Sequence, residues 1–229
     1  MLELDRLTLA RGAFSLTADW SLPAGTRVAV IGPSGGGKST LLDALAGFLA
    51  PLSGRIRWQG QDITTLPPGG RPLSILFQDG NLFPHLTVAQ NAGLGLSPGL
   101  RLTAEDRARV DVVLRDVGLE GLQGRRPADL SGGQQGRAAL ARALLRARPI
   151  LLLDEPFAAL GPALRAQMLD LTARMAAGQT VLLVTHDPAE ARRFADLAVL
   201  VADGVAAAPV PVGPLLDDPP PALAAYLGL

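Results

Sequence analysis

The chain has 229 residues, enough for one large domain or for a domain with an inserted subdomain, and 48% of them are hydrophobic, which supplies a sizeable core. Lys plus Arg equals Asp plus Glu at 21 each, a balance that argues against a nucleic-acid binder held by bulk charge. There is no Cys and there are only two His, so disulfides, thiolate metal sites, Cys nucleophiles and a His-rich metal centre are set aside.

In chain order, residues 2–22 alternate roughly between apolar and polar, as at Leu2, Leu4, Leu7, Leu9, Phe14 and Leu16. That rhythm predicts short antiparallel strands. Thr26-Arg27-Val28-Ala29-Val30-Ile31 is a β-branched run that ends in a glycine-rich loop, and 41–46 continues as a helix stopped near Gly47. Residues 51–77 read as further strands and turns. From about 84 to 147 the pattern turns helical, with Thr103-Ala104-Glu105-Asp106 opening one capped helix and Ser131 capping another. Ile150-Leu151-Leu152-Leu153 and Val181-Leu182-Leu183-Val184 are continuous apolar runs, the reading of buried parallel strands, with a helix over about 162–177 between them. The N-terminus is no signal peptide. The nearest candidate for a membrane span, 197–216, holds Asp203, two glycines and three prolines, and is read as a strand, a turn and the start of an Ala/Pro-rich tail, loose beyond about 206 apart from an apolar patch near Leu223 and Tyr226. The chain is therefore expected to be soluble and cytoplasmic, free to dock on a membrane protein. The fold class that follows is α/β with a parallel core interrupted by a helical insertion.

Chemistry gathers where the predicted strands end, which is where such sheets bind ligands. Gly32-Pro33-Ser34-Gly35-Gly36-Gly37-Lys38-Ser39-Thr40 fits the pattern of a phosphate-cradling loop and lies between a strand and a helix, as a P-loop must. Its N–H groups would wrap a β-phosphate, Lys38 would reach the β/γ oxygens, and Ser39 would offer its hydroxyl to Mg²⁺. Asp154 and Glu155 follow a buried run. Asp154 would hold Mg²⁺ through water, and Glu155 would act as general base on an attacking water, a role worth about 10²–10⁴ in rate. His186 ends the next buried strand, placed to meet a γ-phosphate or the attacking water. Gln78 follows Leu73-Ser74-Ile75-Leu76-Phe77 and carries an uncharged amide that could sense metal and water. Leu130-Ser131-Gly132-Gly133-Gln134 is a second glycine-rich segment just ahead of a helix, suited to an anion. His85 is assigned to packing or capping. Leu82 and Phe83 beside it are split evenly between a partner contact and a satellite core cluster.

Together these residues resemble the ATP-binding subunit of ABC transporters, over about residues 1–205 and in the family's order. In that likeness Gly32 to Thr40 is Walker A, Gln78 the Q-loop, Leu130 to Gln134 the LSGGQ signature, Asp154 and Glu155 the end of Walker B with its catalytic Glu, and His186 the switch His. The resemblance implies a P-loop NTPase with a RecA-like core over 1–84 and 148–205, an N-terminal antiparallel β subdomain, a helical subdomain over 85–147 and a tail over 206–229. It further implies that two copies bind head to tail with two ATP molecules between them. Each ATP would lie between one chain's Walker A and the other's Ser131, Gly133 and Gln134, with Ser39, Gln78 and Asp154 toward Mg²⁺. The implied partners are a second ATPase subunit, transmembrane permease subunits and a solute-binding protein, and the implied place is the cytoplasmic face of the cell membrane. The stretches 71–78 and 81–100 look more narrowly like ATPase subunits of bacterial thiamine importers, Gly93-Leu94-Gly95-Leu96-Ser97-Pro98-Gly99-Leu100 being the more particular part. The runner-up cargo is another small solute: an inorganic anion, a metal or a polyamine.

Three departures from the family pattern stand out. The D-loop usually reads Ser-Ala-Leu-Asp, and here Ala158-Ala159-Leu160-Gly161 lacks both the Ser and the Asp. The aromatic that usually stacks on adenine is missing around Ala10-Arg11-Gly12, leaving Arg11 or Phe14 to serve. Gly136 stands where the family usually has a polar residue. Lys38, Asp154, Glu155 and His186 are intact, so activity is expected to survive all three.

Overall fold

The computed structural model describes residues 1–227. The chain divides into two compact units, Met1–Leu73 with Gly178–Leu229, and Ser74–Ala177. In chain order the elements are β1 (Leu2–Arg11), β2 (Phe14–Leu22), β3 (Arg27–Ile31), α1 (Lys38–Ala46), β4 (Ser53–Trp58), β5 (Gln61–Asp62), β6 (Leu73–Leu76), α2 (Val88–Gly93), α3 (Ala104–Asp116), α4 (Gly132–Leu145), β7 (Ile150–Asp154), α5 (Pro162–Met175), β8 (Thr180–Val184), α6 (Pro188–Phe194), β9 (Leu197–Ala202), β10 (Val205–Ala206), β11 (Val210–Pro211), α7 (Val212–Asp217) and α8 (Pro221–Leu227).

The first unit joins an antiparallel and a parallel part. The alternating segment at the N-terminus forms β1 and β2, which pair antiparallel from Leu2 opposite Leu22 to Arg11 opposite Phe14, with an irregularity between Leu4 and Leu7. β4 adds antiparallel to the other side of β1, and β5 to β4. β10 bridges to the parallel part, pairing parallel with β2 and antiparallel with β9. A buried hydrogen bond of 3.0 Å from Trp20 Nε1 to the Ala206 carbonyl fastens this join. β3 lies between β9 and β8 and is parallel to both. Its residues Val28 to Ile31 and all of β8 are buried, as the continuous apolar runs require.

Parallel pairing of β3 with β8 has a functional consequence. The loop after Ile31 and the segment after Val184 leave the sheet at the same edge. The backbone N–H of Thr185 donates to the Val30 carbonyl at 3.3 Å, keeping the two strand ends together.

α1 is closed from below by an unexpected residue. Arg71, 2% exposed, donates to the carbonyls of Ala44 (2.6 Å), Leu45 (2.7 Å), Thr64 (2.8 Å) and Leu66 (3.0 Å). Its guanidinium thus satisfies the orphan carbonyls of the last turn of α1. Burial lowers its pKa from the usual value.

The second unit holds β6 and β7 as neighbours, with α2, α3, α4 and α5. α3 opens on a capping box between Thr103 and Asp106, and α2 on one between Thr87 and Gln90.

The loose tail expected beyond residue 206 is corrected. The segment folds as β11, α7 and α8, and Leu223 is fully buried. Prolines at 211, 214 and 221 lie at or near the helix starts, where the missing N–H costs nothing. Arg192 on α6 pairs with Asp217 at 2.7 Å, and the Tyr226 hydroxyl lies 3.5 Å from the His186 carbonyl.

Candidate nucleotide site

The glycine-rich loop leaves β3 and turns into α1. Gly32 has φ of +146°, and a Cβ there would lie 2.1 Å from the Val201 carbonyl oxygen on β9, so the close approach of two backbones demands glycine. A Cβ at Gly36 would meet the same oxygen at 2.8 Å. Inside the loop the Gly36 N–H donates to the Pro33 carbonyl at 3.1 Å. Ser34 and Gly35 form the turn, Gly37 is the N-cap of α1 with no side-chain cap, and Ser39 and Thr40 fall in the first helical turn. The first-turn N–H groups of a helix lack intrahelical acceptors, which makes this end an anion cradle. The Lys38 ammonium donates to the carbonyls of Gly32 (2.8 Å) and Pro33 (2.9 Å), and the residue is 8% exposed. The charge that would meet a phosphate is therefore held across the loop itself.

Two further side chains border the loop. The ring of Phe14 lies so close that a Cβ on Gly37 would come within 2.7 Å of it. Arg11, the other residue weighed for the base, is engaged instead by Asp43 of α1 at 2.9 Å. His186 sits exposed just past the end of β8. Around it, Thr185 donates to buried Glu190 at 2.5 Å and accepts from the Asp187 N–H at 3.1 Å, and Asp187 caps α6. The loop and His186 thus share one edge of the first unit.

Gln78, Ser131, Gly133, Gln134, Asp154 and Glu155 belong to the second unit. Ser131 caps α4: its N–H donates to Gln134 Oε1 at 2.8 Å, and its hydroxyl accepts from the Gln134 N–H at 3.4 Å. Gln134 is thereby fixed as the helix opens. A Cβ on Gly133 would lie 3.0 Å from a methyl of Leu160, which ties the signature to the segment after β7. Asp154 ends β7, and Glu155 turns out of the strand with φ of +45°, a left-handed conformation that a non-glycine residue adopts at a cost. Gln78 is exposed in the turn after β6. At Gly161, in open space and with φ near −68°, α5 begins without a side-chain cap. A Cβ at Gly136 would be 3.8 Å from the Pro156 carbonyl oxygen, so the polar residue usual there would fit.

Sequence reasoning missed the residues that hold these segments in place. Asn91, 0% exposed, accepts from the Phe83 N–H at 2.8 Å and donates to the carbonyls of Phe83, Leu86 and Thr87 at 3.1–3.2 Å. Arg137 donates to the carbonyls of Val117 (2.7 Å) and Gly118 (2.9 Å), and burial lowers its pKa. His85 packs its ring edge-on against Phe83, centroids 6.0 Å apart, in line with the packing role assigned to it.

Among the described residues no group of three or more His, Cys, Asp and Glu gathers to hold a metal, and no helix is long and apolar enough to cross a membrane. The fold and the phosphate-cradling loop define a P-loop nucleotide-binding protein. Residues 17–158 match the ABC transporter family. The chain is 67% identical to the thiamine import ATP-binding protein ThiQ of Cereibacter sphaeroides, over the full length of both. It is 50% identical to the protein of that name from Escherichia coli, with 89% of each chain covered. It also superposes on a dimeric bacterial ABC transporter cassette (TM-score 0.83) and on a dimeric ATP-binding cassette in a post-hydrolysis state with ADP and Pi (TM-score 0.82). Both share 30% identity, and the superposition spans 93% of this chain and 99% of theirs. This chain belongs to the ABC transporter ATP-binding family, and it is an ATPase of that family.

Proposed function

We propose that this chain is the ATP-hydrolysing subunit of an importer that takes thiamine across the cytoplasmic membrane. The observation that carries the cargo is the full-length likeness to thiamine import ATP-binding proteins. The chemistry rests on the residues. The loop from Gly32 to Thr40 takes the phosphates of ATP, with Lys38 turning from its own carbonyls to the β/γ oxygens. Ser39 and Asp154 are hard oxygen donors of the kind Mg²⁺ accepts alongside phosphate oxygens and water, and Gln78 is the further residue assigned toward it. When bound, the metal neutralises charge on the transferred phosphoryl group. Glu155 takes the proton of the attacking water, and His186 orients that water or the γ-phosphate. Two copies act as a dimer, with Ser131, Gly133 and Gln134 of one chain closing over the ATP of the other. The parts belong to a core over 1–84 and 148–205 and a helical subdomain over 85–147. A permease and a solute-binding protein complete the importer, and the cassette sits on the cytoplasmic face of the membrane as a peripheral subunit.

Labelled thiamine uptake in cells lacking this gene tests the proposal, with complementation by wild type or Glu155→Gln. Wild type is expected to restore uptake, and Glu155→Gln to lose it while the protein still binds ATP. Equal rescue by both would remove Glu155 from the mechanism. Rescue by neither, with normal expression, would overturn thiamine as the cargo.

A further inference from the structure

The turn after Gln78 is anchored from a helix more than fifty residues away in sequence. Arg142 lies on α4, the helix that Ser131 caps. Its two terminal nitrogens donate to the Asn81 and Gly80 carbonyls, each at 2.9 Å. Its guanidinium also lies 6.0 Å from the ring centroid of Phe83, a residue 47% exposed. Gly80 has φ of +69° and is buried, and a Cβ there would stand 3.2 Å from the Cβ of Ala139 on α4. The Gly80 N–H closes the turn on the Phe77 carbonyl at 2.9 Å. Asn91 holds Phe83 from the other side through both its N–H and its carbonyl.

None of these contacts is a side-chain ion pair. Arg142 directs its charge at two backbone carbonyls through a planar fork of donors, a fixed geometry that a single-point ammonium does not reproduce. Burial, and then the charge of Arg146, lower its pKa from the usual value. A half-buried cation is costly unless its donors are satisfied, and here two of them are satisfied by one turn.

We propose that Arg142 is a positioning residue that latches the Gln78 turn to the signature helix, so that the Gln78 amide and the Ser131 cap are set as one body. The half-exposed Phe83 ring covers the latch, and movement of that ring disturbs it. The catalytic consequence rests on the reading of Gln78 as a residue facing metal and water. The latch itself does not.

Hydrogen exchange on the full-length, nucleotide-free protein tests the latch directly, comparing wild type, Arg142→Met and Arg142→Lys. In Arg142→Met the amides of Gly80 and Phe83 are expected to exchange about tenfold faster, while those of α3 and β7 keep their rates. Arg142→Lys should fall between, because an ammonium keeps the charge but lacks the planar fork whose two terminal nitrogens each meet one carbonyl. Unchanged exchange at 80–83, or equal acceleration across the whole second unit, would overturn the proposal. In ATP turnover by the same variants, kcat should fall and the Mg²⁺ concentration for half-maximal rate should rise several-fold, with KM for ATP changed less. A faster-exchanging turn with unaltered Mg²⁺ dependence would leave the latch standing and sink the reading of Gln78.

Discussion

Phe14 and Arg11 are the two candidates for the adenine base, and their surroundings differ. Arg11 is held by Asp43, while the Phe14 ring lies against Gly37 at the start of α1. An aromatic contact of this kind contributes about 0.5–1.5 kcal/mol beyond area. Phe14→Ala should therefore raise KM for ATP about two- to tenfold with little change in kcat, and Arg11→Ala should leave KM nearly unchanged. Steady-state kinetics decide between them, and the reverse pattern would return the base to Arg11. The contrast also shows what a sequence carries at this scale. Asp154, Glu155 and His186 stand out as candidates because they follow buried strands, and Lys38 because it opens a helix after a glycine-rich loop. Arg71, Asn91, Arg137 and Arg142 do not, because their partners are backbone carbonyls. Carbonyls have no residue type, so no spacing betrays the pairing.

Among the elements, α1 is fixed at both ends, by the phosphate loop and by Arg71. Losing the guanidinium would take a donor from the Leu45, Thr64 and Leu66 carbonyls and leave the Ala44 carbonyl only the Gly47 N–H. Arg71→Met should cost about 3 kcal/mol by urea unfolding, through unsatisfied buried acceptors. Arg71→Lys should rescue only part of it, since one ammonium cannot span four carbonyls. A loss below about 1 kcal/mol would show that water replaces the clamp. The start of α5 is the opposite case, an end left bare. Gly161 has N-cap geometry and free space but no side chain to accept an N–H. Gly161→Asp should stabilise by about 0.5 kcal/mol through the cap and the helix dipole. No gain would mean that the loop, rather than the cap, sets this helix start. The C-terminal segment shows why element boundaries were harder to read than the site. Its Ala/Pro composition predicted a loose tail apart from the apolar patch near Leu223 and Tyr226, whereas two short helices form, with prolines at or near their starts and Leu223 buried.

On the scale of the whole molecule, the proposed dimer would make the two glycine-rich segments halves of a site completed by a second copy. The phosphate loop lies in one compact unit and the signature in the other. Each presents a helix start: α1 with its bare Gly37 cap, and α4 with its Ser131 capping box. If each ATP is held by Lys38 of one chain and Ser131 of its partner, neither half-site works alone. Lys38→Met and Ser131→Arg proteins should then each be inactive and fail to dimerise with ATP. An equal mixture should recover up to about half of wild-type sites, because the only dimers that form are mixed and each carries one intact pair of two. Light scattering with ATP and turnover of the mixture measure this together. The decisive control is Ser131→Arg alone. If it hydrolyses ATP at the wild-type rate, the signature does not take part in a shared site. If activity returns only on mixing, Lys38 and Ser131 act on the same nucleotide from different chains.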